Sequence, residues 1–222
     1  MNSVALNMKA IDTIIYGNPT IDKMKYLKGS EWTPFINTML NYPFPKNSSE
    51  ETRHELETLY RYQEELKAMD KSIAQRFISY DEENPMDLYI KFAKSRGLSI
   101  ENVIKQIVED SKYVAVGLKY KYQRARPYQL AHYYKVKLTP YPSCVAITPS
   151  YPSGHTFQSL LLSSYLSAKL PNEKETLVKM AKDISNSRLS LGLHYPSDAS
   201  FGFSVAKKMT ETEIFVKKYG KI

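Results

Sequence analysis

From Ile100 to Val114 the apolar residues return every three or four positions: Ile100, Val103, Ile104, Ile107, Val108 and Val114. That period makes a wide apolar stripe along one side of an α-helix, and such a stripe has to face a core. The same period recurs in Leu56, Leu59, Tyr60, Gln63, Leu66 and Met69, where it runs on toward Phe77 and Ile78. It returns in Leu88, Tyr89 and Phe92, ending at Gly97, and in Phe157, Leu160, Leu161, Ser164, Tyr165 and Ala168, stopped before Pro171. Two further helices follow, one through Leu177, Met180, Ala181, Ile184, Arg188 and Leu191, the other from near Ser197 through Phe201, Val205, Ala206 and Met209. Ser48 with Glu51 reads as a capping box opening the first of these helices, and Ser99 opens the helix of Ile100. Alternating strand patterns are scarce, so the expected fold is all-α.

The breakers divide the chain. Residues 1–46, with Gly17-Asn18-Pro19 and Tyr42-Pro43-Phe44-Pro45, read as an irregular N-terminal segment packing on a helical domain of residues 47–222. Pro127, Pro140, Pro142, Pro149 and Pro152 mark 127–152 as one long irregular connection, and connections of that length tend to be functional. The length of 222 residues, with 42% hydrophobic and 24% charged, suits a single globular domain with its own core. No apolar run is long enough to span a bilayer, and Met1–Leu6 opens without a basic patch leading into an apolar segment. A single cysteine, Cys144, makes no internal disulfide. The expected compartment is therefore the cytoplasm, or the periplasm if a leader has been removed.

Charge is unevenly placed. The net of +8 comes from 31 Lys and Arg against 23 Asp and Glu, and residues 111–172 contain no acid at all. Lys112, Lys119, Lys121, Arg124, Arg126, Lys135, Lys137 and Lys169 carry the whole excess. An anionic ligand follows, whether phosphate ester, nucleotide or nucleic acid, unless the stretch is only a solvated basic face.

Three constellations stand out: Lys119, six residues, then Arg126-Pro127; Pro152-Ser153-Gly154-His155; and Ser187-Arg188, five residues, His194, three residues, Asp198. Each taken alone has an ordinary structural use, as a surface cation, a turn or a helix cap. A specified four-residue pattern arises by chance about once in 10^5 positions, so three in one chain are a strong signal.

Together they resemble the signature of the type 2 phosphatidic-acid-phosphatase (PAP2) superfamily, which includes bacterial class A non-specific acid phosphatases and vanadium-dependent haloperoxidases. The string Ser150-Tyr151-Pro152-Ser153-Gly154-His155-Thr156 is similar to the longer active-site string of the soluble acid phosphatases, with Pro149 where they have Gly. The resemblance covers about residues 40–210. It departs from those enzymes in lacking a leader and a second cysteine, and from the lipid phosphatases in lacking membrane spans.

The resemblance implies a single-domain helical bundle that hydrolyses soluble phosphomonoesters without a metal, through a phosphohistidine, with phosphotransfer to an alcohol as a variant. It makes His194 the nucleophile, Asp198 the carboxylate that orients it, and His155 the general acid and then base. Lys119, Arg126, Ser153, Gly154 and Arg188 would bind phosphate. The physical reason is plain: a dianionic ester at a metal-free site needs cations, forked guanidiniums and helix N-terminal N–H groups. No cofactor is implied, although vanadate or phosphate can occupy such a site. The partner is a small phosphate ester, and relatives are often homo-oligomers. The alternatives are a vanadium-dependent haloperoxidase, or a nucleic-acid-binding protein using the basic 111–172 stretch.

Other residues carry less. Lys119-Tyr120-Lys121-Tyr122-Gln123-Arg124 interleaves bases with aromatics and reads as a pocket wall more than a single-strand-binding surface. Tyr120, Tyr122 and Tyr128 are candidates for substrate selection. His54 reads as structural, His132 as a lining residue of the pocket, and Cys144 as inert.

Overall fold

The computed structural model describes residues 10–82 and 84–221. Among them the regular structure is helical, with one isolated antiparallel bridge between Ile15 and Arg124. The main helices are α1 (Thr33–Met39), α2 (Glu50–Ala68), α3 (Lys71–Glu82), α4 (Pro85–Ser95), α5 (Glu101–Tyr122), α6 (Gly154–Lys169), α7 (Lys174–Ser190), α8 (Pro196–Thr210) and α9 (Glu213–Tyr219).

Local chemistry explains most of the boundaries. Ser49 caps α2 by accepting from the Thr52 amide at 3.1 Å. The expected cap Ser48 instead donates to Asp12 at 2.7 Å. The long pattern from Leu56 to Ile78 is two helices, because Met69 turns extended and the Asp70 side chain accepts from the Ser72 amide at 2.7 Å, opening α3. Proline takes the first position of α4 and α8, where its missing N–H costs nothing. The helix expected from Ser99 starts at Glu101.

The N-terminal segment, expected to be irregular, contains α1 and a short helical turn at Ile21–Met24. Neither is long enough to show a period. Trp32, Phe35, Ile36 and Met39 are buried in the same core as the later helices. α9 escaped notice for the same reason, and Phe215 and Tyr219 bury its inner face. The connection at 127–152 opens with a helical turn, Pro127–Leu130, and a 3-10 turn, Ala131–Tyr134, before becoming irregular.

α6 is the central helix. It packs against α7, α8, α4 and α5, and Phe157, Leu161, Leu162 and Leu166 are fully buried. Gly202 lets α8 approach its first turn: a Cβ there would meet the Ser153 carbonyl oxygen at 3.0 Å and the Phe157 amide nitrogen at 3.3 Å. Tyr151 stacks on Phe201 at 4.2 Å, fixing the chain just before α6 against α8. A second apolar cluster joins Leu56 and Leu59 of α2 to Ala125, Leu130, Tyr195 and Ala199. That cluster draws α2 against the turns that follow α5 and α7, which is where the charged residues converge.

Candidate active site

Four stretches of chain meet at one cavity of about 530 Å³. The last turn of α5 supplies Lys119. Gln123 then adopts the left-handed conformation, its amide bonded to the Lys119 carbonyl at 2.8 Å, so the chain doubles back and presents Arg124 and Arg126 beside that helix end. The start of α6 supplies Gly154 and His155, the last turn of α7 supplies Arg188, and the α7–α8 turn supplies His194. That turn needs a positive φ of 69° at Gly192, which costs a glycine nothing. Lys119, Arg126, Gly154, His155, Arg188 and His194 all line the cavity. Ser153 and Asp198 lie behind its wall, fully buried.

His194 is held from both sides. Its Nδ1 is 3.1 Å from Asp198 Oδ2, and its Nε2 is 3.1 Å from a terminal nitrogen of Arg126. The carboxylate accepts a hydrogen bond from Nδ1–H, which leaves the Nε2 lone pair directed at Arg126 and the cavity. Asp198 is itself saturated. Oδ2 also accepts from the Ser150 hydroxyl and from the Tyr195 amide at 2.9 Å, and Oδ1 accepts from Arg124 at 2.6 Å. Burial alone would push the Asp198 carboxyl up, but Arg124, His194 and Ser150 outweigh it and hold it far below the usual carboxylate range. Asp198 therefore orients and stabilises; it does not take the proton away.

Lys119 and Arg126 are buried without a carboxylate. The ammonium of Lys119 donates to the Pro149 carbonyl at 2.6 Å, and Arg126 donates to the carbonyls of Thr148 at 2.8 Å and Leu193 at 2.7 Å. Among the described residues neither has an ion-pair partner. Burial pulls the Lys119 ammonium well below its ordinary pKa and lowers Arg126 to about 10. Arg188 does have a counterion, Asp81 at the end of α3, yet its Nε is buried with no hydrogen-bond partner. Both imidazoles are pushed well below 6.5, first by burial. For His155 the cations Arg188, Lys119 and Arg126 and the neighbouring His194 add to this; for His194, Arg126 and Lys119 do.

Ser153 caps α6, accepting from the Thr156 amide at 3.4 Å and the Thr156 hydroxyl at 3.0 Å. Gly154 leaves space on the wall, since a Cβ there would stand 3.9 Å from Lys119 Cε. The positive end of α6 thus faces the two uncompensated cations.

Some expectations need correction. His132 does not line the cavity; it is exposed and rests on Tyr133 at 3.8 Å between ring centroids. Tyr120, Tyr122 and Tyr128 do not line it either. Tyr122 belongs to the aromatic core and donates to the carbonyls of Met39 and Tyr42 at 2.8 and 2.9 Å. His54 is exposed, its ring bonded within its own helix, and Cys144 is an exposed thiol. The basic stretch is no continuous surface stripe, because Lys119, Arg124 and Arg126 are its buried members.

Sequence reasoning missed Asp81, Glu55 and the role of Arg124. Glu55 on α2 accepts from Arg124 at 2.8 Å and from the Ser197 amide at 2.6 Å, closing a buried chain from α2 through Arg124 to Asp198. One signal was present: Glu55 is an acid immediately beside Leu56 on the apolar side of a helix.

No curated protein matches the chain. Residues 107–208 match the model of the PAP2 superfamily, a span holding Lys119, Arg124, Arg126, Ser153, Gly154, His155, Arg188, His194 and Asp198. Through that span, whose three constellations fold around one cationic cavity, the chain is similar to the PAP2 superfamily.

Proposed function

We propose that the protein is a phosphomonoesterase that works through a phosphohistidine on His194 and needs no metal. Members of the PAP2 superfamily are phosphatases and related hydrolases. The observation that carries the finer reading is the pair Lys119 and Arg126, two buried cations that form no ion pair among the described residues, beside an imidazole whose free nitrogen faces them. A buried uncompensated cation is costly, and a phosphoryl dianion removes the cost.

In this reading the phosphoryl oxygens take Lys119, Arg126, the open Nε of Arg188 and the Gly154 N–H, while Ser153, behind the wall, caps the helix end that aims them. Arg126 gives up Nε2 of His194 for a phosphoryl oxygen, and the Nε2 lone pair attacks phosphorus. The P–O ester bond breaks as His155 protonates the departing alkoxide. The phosphorylated imidazole keeps its proton on Nδ1, hydrogen-bonded to the Asp198 carboxylate. Water then attacks phosphorus, His155 takes a proton from it, and inorganic phosphate leaves with His194 regenerated.

Turnover of an aryl phosphate should survive EDTA, be blocked by vanadate, and vanish in His194→Ala. A phosphorylated histidine trapped by acid quench of the wild type should be missing from that variant. Full activity in His194→Ala ends the proposal. Dye bromination dependent on vanadate and peroxide, without ester turnover, would make the site a haloperoxidase instead.

A further inference from the structure

The cavity extends well beyond His194. On α5, Lys112, Ala115, Val116 and Lys119 all line it, at the spacing that places four residues on one helix face. Seven residues at 1.5 Å rise separate Lys112 from Lys119 by about 10 Å along the axis, and both side chains lean the same way. One helix face therefore presents a cation, an aliphatic strip and a second cation.

The outer cation is doubled. Lys25, on the turn after Ile21–Met24, also lines the cavity. Its ammonium and that of Lys112 share one carboxylate, Glu109, at 3.2 and 3.1 Å, and Tyr26 donates to the same group at 3.1 Å. Two ammoniums and a phenol on one carboxylate leave one ammonium in excess; of the acids that also line the cavity, Asp22 is taken by Lys23 at 2.7 Å and Asp81 by Arg188, and Glu82 accepts from the Tyr141 hydroxyl at 2.9 Å. The side chains of Lys25 and Lys112 are 58% and 38% exposed, so they can turn toward a ligand.

We infer that the preferred substrate carries a second phosphate on its alcohol portion, about a sugar's width from the scissile one. The scissile phosphate sits at Lys119 and Arg126, the second at Lys25 and Lys112, and the carbon skeleton between them lies on Ala115 and Val116. Adjacent phosphates of a diphosphate are too close together to reach both ends. This inference rests on the phosphomonoesterase reading and adds its substrate class.

The test compares a hexose 1,6-bisphosphate with the matched hexose 6-phosphate and with an aryl phosphate. The bisphosphate should have kcat/KM higher by about tenfold, mostly through KM, the factor one contact to a charged group supplies. The advantage should shrink as salt is raised. Lys25→Gln combined with Lys112→Gln should abolish it while leaving aryl phosphate kinetics unchanged, and Glu109→Gln, which frees both ammoniums, should enlarge it. Equal kcat/KM for the two sugar esters, or a preference that survives the double variant, overturns the inference. Calorimetric binding of both sugar esters to His194→Ala separates it from the reaction. A tenfold tighter bisphosphate there, with no turnover by the wild type, sinks the enzyme reading and keeps the two-anion pocket; equal affinities sink the pocket.

Discussion

Arg124 and Arg126 are two residues apart, equally buried, and do opposite things. Arg124 lies between two carboxylates, Glu55 at 2.8 Å and Asp198 at 2.6 Å, with the Tyr195 ring 4.0 Å away. Among the described residues, Arg126 bonds to carbonyls and an imidazole and to no carboxylate. The first is a finished ion-pair network around Asp198; the second is an unfinished one that, in the proposed function, an anion completes. Burial alone does not single out a candidate phosphate-binding cation; the missing counterion does.

The widest gap between the two should appear on substituting each with methionine. Arg126→Met should lower kcat/KM by roughly 10^3-fold, as removing a preorganised donor does, while changing unfolding free energy little. Arg124→Met strands two buried carboxylates and should cost about 3–5 kcal/mol in urea denaturation. Comparable stability losses in the two variants would break the comparison. Next in size, vanadate at one hundred times its Kd should stabilise the wild type by about 2.7 kcal/mol, read as a rise in Tm, and Arg126→Met should lose the effect.

A third effect follows from the imidazoles. Folding lowers the pKa of both His155 and His194 below 6.5, so the unfolded chain binds protons first as the pH drops through that value. Stability should then fall with falling pH, by up to about 1.4 kcal/mol per pH unit for each histidine, until the lowered folded values are reached. Denaturation at pH 7 and pH 5 measures it, and bound phosphate should blunt it. In activity, kcat/KM should be a bell with its maximum below 6.5, since His194 must be neutral and His155 protonated. A maximum at alkaline pH would reverse that division. The smallest change is expected of Glu55→Gln: with less charge opposing it, Arg124 draws more on Asp198. The acid limb of the profile should shift downward by less than about one pH unit. An unmoved limb would mean that Glu55 only packs.

Much of the fold was legible because a helix longer than ten residues writes its buried face into the sequence as a period. That period located α2, α4, α5, α6, α7 and α8. It could not separate α2 from α3, where the break depends on one Asp side chain at position 70, and it could not see α1 or α9, which span too few turns. The residues that line the cavity announced themselves as motifs. Their supports did not: Glu55 lies 69 positions from Arg124, and Asp81 lies 107 positions from Arg188.

The amino-acid order by itself determined an all-α chain, the helix faces that turn inward, and the residue types able to bind an oxyanion. Which cations are neutralised and which are left bare was decided only by tertiary packing. A pairing between α2 and the turn after α5, or between α3 and the end of α7, comes from the side chains that bring those elements together. The energy of a charge depends on what stands within a few ångströms of it and on whether water is excluded there. Neither quantity exists until the helices have packed.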